Sequence, residues 1–126
     1  MTYYTIGGDF LADGTVRAFA NPRTKSADNQ GHFGLTYSEL FNPATGQIMV
    51  GDAYAIWAFG LKNVATGSIY WCDAAGTGVD SSGFIHSSIN ALKKGTYVVV
   101  CKSHYAHKTG TSTYARIRFG GKLSLT

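Results

Sequence analysis

The run Thr96-Tyr97-Val98-Val99-Val100-Cys101 constrains this chain more than any other stretch. Three adjacent valines between a tyrosine and a cysteine make it the densest β-forming segment of the sequence. Side chains alternate along a strand, so Tyr97, Val99 and Cys101 share one face, while Val98 and Val100 share the other with Lys102 and His104. A strand apolar on both faces belongs in the middle of a sheet with cover on each side. A second stretch, Ala53–Leu61 (AYAIWAFGL), is uncharged throughout. Its length would suit a helix, but Tyr, Ile, Trp and Phe favour a strand.

The rest of the chain alternates short strands with turn signals. Tyr3–Ile6 reads as a first strand ended by Gly7-Gly8, and Asp13-Gly14 as a tight turn between Phe10–Ala12 and Thr15–Phe19. Asn21–His32 is polar throughout and reads as a long loop or arm. Phe33–Phe41, Gln47–Val50 and Ser68–Cys72 follow as strands, separated by the turns Asn42–Gly46 and Asn63–Gly67. Asp73–Gly83 reads as a second loop and Phe84–Ile89 as a short strand. Beyond the valine run, Ala106–Ser112 forms a hairpin loop into Thr113–Phe119, and Gly120-Gly121 closes a last hairpin. The prediction is an all-β chain, a single-domain Greek-key β-sandwich over residues 1–126 with about nine or ten short strands, immunoglobulin-like or a jelly roll.

Composition narrows the function classes. Charged residues are 14%, well under the usual quarter, beside 13% aromatics and 16 glycines, a balance suited to short strands and a surface hidden against neighbours. No apolar run reaches the roughly 20 residues of a membrane span. The start, MTYYTIGGDF, lacks a basic and then apolar leader, so no signal peptide is expected. Cys72 and Cys101 read as reduced, buried thiols. Charge is unevenly spread: all seven acids precede residue 81, whereas Lys93, Lys94, Lys102, Lys108, Arg116, Arg118 and Lys122 follow it with no acid among them. The last third is therefore expected to present its bases to something.

Catalytic and metal signatures are weak. His104 and His107 have no accompanying cysteine or carboxylate cluster, so no metal site and no cofactor are expected. No serine sits in an elbow motif, and Cys101 on an apolar strand face should be inert. An enzyme is not expected. The strongest constellation is a basic, aromatic-edged face. If the valine strand pairs with Thr113–Phe119, then Lys102, His104, Tyr114, Arg116 and Arg118 lie outward together, with His107 and Lys108 crowning the loop. Such a face would bind an acidic protein surface, an acidic glycan or, as the weakest option at a net charge of +4, nucleic acid; the plain alternative is a solvated face.

The pattern Leu92-x-x-Gly95-x-Tyr97 resembles the tyrosine corner of immunoglobulin-like sandwiches, although the Trp…Cys pattern of true immunoglobulin domains is absent. Trimer-forming jelly rolls also enter a core strand through Gly-x-Tyr, so the topology stays open. The whole profile, a small Gly/Ser/Thr/Tyr-rich sandwich with a polar arm, is similar to bacteriophage virion proteins: capsid decoration (cement) proteins and tail-fibre tips. That resemblance implies a non-catalytic structural or adhesive protein of the virion, assembled in the host cytoplasm. Its partners would be itself, with a trimer favoured, and other virion proteins, with no membrane involved. The alternative is a carbohydrate-binding, lectin-like module in which Tyr70, Trp71 and Asp73 meet a surface glycan; an inhibitor or nucleic-acid partner comes third.

Overall fold

Ten strands and no α-helix occupy the described residues (3–51, 56–72, 82–85 and 91–125) of the computed structural model. They are β1 (Tyr3–Leu11), β2 (Arg17–Ala18), β3 (Arg23–Lys25), β4 (Gly31–Phe41), β5 (Ile48–Gly51), β6 (Trp57–Asn63), β7 (Ile69–Trp71), β8 (Ser82–Ile85), β9 (Gly95–Ser103) and β10 (Arg116–Ser124). All pairings are antiparallel. The first sheet runs β1-β10-β4, and the far edge of the long β4 is shared by β5 at one end and β8 at the other. The second sheet runs β9-β6-β7, with the outer edge of β9 shared by β2 and β3. The valine run thus sits inside the second sheet, as its two apolar faces require.

The strand order decides between the two sandwich types. First pairs with last (β1·β10), the next in (β2 and β3) with the next to last (β9), β4 with β8, and β6 with β7. This is a long antiparallel hairpin rolled over on itself, with β10 meeting β4 in one sheet and β9 meeting β6 in the other. That order is a jelly roll. Strand β5 is an addition, a hairpin hung on β4.

Aromatic rings fill the space between the sheets. Phe119 lies within ring-contact range of Phe10, Phe19, Trp57 and Phe59, at centroid distances of 6.3, 5.9, 5.0 and 6.2 Å. Phe33 of the first sheet stacks flat on Phe59 of the second, 3.8 Å apart. Trp57, Phe59 and Leu61 are therefore spent on the chain's own core. Tyr97 is buried and its hydroxyl donates to the Lys93 carbonyl at 2.6 Å, which makes the Leu92–Tyr97 segment a tyrosine corner.

Several expectations are corrected. Gly7-Gly8 does not end a strand, and Gly120-Gly121 does not turn one: both doublets lie inside long strands, and Gly7 pairs with Gly120. The Asp13-Gly14 turn forms, with Gly14 at φ 83°, but it carries the chain from one sheet to the other instead of closing a hairpin. Residues 104–115 likewise cross between sheets, because β9 pairs with β6 and β10 with β1 and β4. The Asn21–His32 arm is docked. It contains β3 and the start of β4, and Lys25 is buried, its ammonium donating to Asn29 Oδ1 and the Leu125 carbonyl. Further along, Asp28 accepts from the Lys94 amide at 2.7 Å, and Leu92 N donates to the Asn29 carbonyl at 3.0 Å. The expected strand over 53–55, the loop over 73–81 and the end of the strand over 86–89 lie outside the described residues.

Candidate functional site: the outer faces and the open edge

Outward-facing residues are the ones a partner can touch, and β10 organises them on the first sheet. Because β10 is flanked on both sides, its outward residues form cross-strand rows: Thr5–Lys122–Gly34, then Gly7–Gly120–Tyr37, then Asp9–Arg118–Glu39, then Leu11–Arg116–Phe41. Successive rows are about 7 Å apart. In the third and fourth rows charges pair off. Arg116 Nε donates to Asp9 Oδ1 at 2.6 Å, and Arg118 Nε donates to Glu39 Oε1 while its guanidinium lies 4.7 Å from the Phe41 ring centre.

The second row is nearly bare. Two of its three members are glycines, and Tyr37 lies across Gly120 so closely that a Cβ there would come within 2.4 Å of the ring. The register slips at this point, leaving Thr36 as an extra residue whose hydroxyl donates to the Gly120 carbonyl at 2.8 Å. The result is a shallow hollow of about 420 Å³ floored by backbone, with Tyr37 as one wall and 46% exposed.

The expected basic face is not assembled on one surface. Lys102 lies on the outer face of the second sheet, whereas Arg116 and Arg118 lie on the outer face of the first and face acids. His104 is exposed just beyond β9. His107, Lys108 and Tyr114 do come together in the crossing loop: the Lys108 ammonium sits 6.0 Å from the Tyr114 ring, and His107 is half-buried with backbone bonds to Ala12 and Ala115. The reason is topological, since the strands carrying the two halves of the face belong to different sheets.

The expected sugar-binding trio also separates. Tyr70 turns toward the core, and Trp71 turns outward across Gly60, where a Cβ would meet its ring at 2.7 Å. Asp73 lies outside the described residues. Cys101 is wholly buried, and burial pushes its thiol pKa well up, which keeps it protonated. Cys72 follows Trp71, which pairs with Gly60, so Cys72 and Cys101 flank Phe59 from two strands apart, about 10 Å, and do not bond to one another. Among the described residues no three His, Cys, Asp or Glu side chains gather as a metal would require, and no helix is long and apolar enough to cross a membrane.

The feature missed from sequence is the edge strand β5. Ile48, Met49 and Val50 are 50, 46 and 40% exposed, and among the described residues no strand covers the edge facing away from β4. Alternation sends their apolar side chains to both faces of the strand. Natural sheets blunt such edges with charge, proline or a covering segment; Ile48–Gly51 carries neither charge nor proline. Compared with family models, curated proteins and solved structures, the chain finds no match.

Proposed function

We propose that this chain is a non-catalytic adhesive domain, a structural component of a phage-type virion, which docks beside a second copy of itself through β5. The observation that carries the reading is the exposed apolar edge Ile48–Gly51. Antiparallel pairing of two β5 strands about a twofold axis satisfies the open backbone groups and buries six apolar side chains at once. The core supports the same reading from the other side: its aromatics are consumed by internal packing, which leaves the surface to do the work. The jelly-roll architecture is shared by viral capsid and lectin domains, a fold-level analogy only.

Sedimentation velocity across a range of protein concentrations tests this. The wild-type chain is expected to associate, and Met49→Lys/Val50→Lys to remain monomeric with an unchanged thermal transition. A monomeric wild-type chain, or an oligomer indifferent to the double substitution, refutes docking through β5. A trimer dissolved by the substitution would retain the strip but replace twofold pairing with a head-to-tail contact.

A further inference from the structure

We infer that the glycine-floored hollow on the outer face of the first sheet is a binding site for a neutral saccharide. This goes beyond docking through β5, which uses a different surface. The hollow is two strands wide, about 10 Å, and is bounded by rows roughly 7 Å to either side. Those dimensions suit a single sugar ring with its neighbours extending along β10.

Three observations give the chemistry. First, Tyr37 has one face against Gly120 and is 46% exposed, which provides the flat, apolar surface against which the C–H face of a pyranose stacks. Second, the lining itself carries hydrogen-bonding side chains, Thr5 and Lys122 at one end and Thr36 beside Tyr37. The next row along, about 7 Å on, holds Asp9, Arg118 and Glu39 within reach of a longer saccharide. Planar guanidinium and carboxylate groups match the paired hydroxyls of a sugar. Third, Lys122 is the one charged side chain that lines the hollow among the described residues. Beyond the lining each arginine is paired through Nε with one carboxylate oxygen, so Arg116 and Arg118 add little attraction for an acidic ligand. A peptide strand has nothing to pair with on β10 itself, which is hydrogen-bonded along both edges.

The other sheet supplies a comparison. Trp71 lies over Gly60 in the same way, and an aromatic beside a cross-strand glycine is also a simple packing device. There, however, Gly60 pairs on its other side with Val100, a wholly buried residue with a side chain of its own in that place. On the first sheet the corresponding place is taken by Gly7, and it stays open.

Titrating isotope-labelled protein with maltotriose, galactobiose and mannobiose, and with sialyllactose as the acidic control, tests the site through amide shifts. At least one neutral sugar is expected to shift Gly7, Gly8, Gly120, Gly121 and Tyr37 together. Tyr37→Ala should weaken that binding about tenfold or more, and Tyr37→Phe should keep it. Shifts confined to other surfaces, no response to any neutral sugar, a response to sialyllactose alone, or undiminished binding by folded Tyr37→Ala would each overturn the site. Should Tyr37→Ala fail to fold, the wild-type glycine shifts decide. Met49→Lys/Val50→Lys is expected to bind sugar normally per chain, so the site and the docking edge fail or stand separately.

Discussion

At the scale of single residues, Tyr97 and Asp28 hold the entry to the central strand. Tyr97 was legible from sequence, because Gly95-x-Tyr97 after a buried Leu92 is a pattern with a mechanism, and its hydroxyl reaches the Lys93 carbonyl. Tyr97→Phe should cost about 1 kcal/mol in urea unfolding, since it leaves that carbonyl without its partner. Phe119→Ala should cost more, about 3–5 kcal/mol, because four rings lose their common neighbour. Asp28 was not legible, because its partner lies 66 positions away. The Lys94 amide bond holds its carboxyl below the usual value, with partial burial opposing and Lys93 assisting. A depressed carboxylate pKa contributes stability that is present above the unfolded value, about 3.9, and lost as pH falls through the folded one. Asp28→Asn should therefore lower stability at neutral pH and flatten its fall below about pH 4, measured by thermal melts across that range.

Among elements, the turns and the glycine doublets separate what local sequence can and cannot say. Asn42-Pro43-Ala44-Thr45-Gly46 and Asn63-Val64-Ala65-Thr66-Gly67 share the spelling Asn-x-Ala-Thr-Gly, and they fold alike. Each Asn Oδ1 accepts from the amide two residues on, each Gly amide donates to the Asn carbonyl, and each Gly has φ near 77°. Both hairpins were readable because every contact that makes them is local. Gly67→Ala should cost about 1–2 kcal/mol in chemical denaturation, as a Cβ at positive φ is strained even where space is open. The doublets Gly7-Gly8 and Gly120-Gly121 misled for the opposite reason. In isolation they look like strand stops, and only their mutual pairing shows that they clear a hollow. Trp71 and Tyr70 were similarly undecided, since alternation fixes that they face apart but not which faces the core.

For the whole molecule, the jelly-roll order explains the charge pattern that sequence alone misread. First-with-last pairing lays the basic C-terminal strand between β1 and β4, so Arg116 and Arg118 meet Asp9 and Glu39, and Lys93 meets Asp28. Lys93, Arg116 and Arg118 are thus paired with acids from the first third of the chain, and the proposed adhesive role rests on the uncharged edge of β5 in place of a cationic face. The all-β class and most strand positions were legible from turn spacing and alternation, whereas β3 inside the polar arm and the unbroken lengths of β1 and β10 were not. Sheet membership was not, because it depends on which distant strands pair. If two copies join edge to edge, the outward amides of Ile48–Gly51 must gain hydrogen-bond partners in the assembly. Hydrogen exchange of that segment at low and high protein concentration measures this directly. The account predicts protection that rises with concentration and is abolished by Met49→Lys/Val50→Lys; equally fast exchange at every concentration would contradict it.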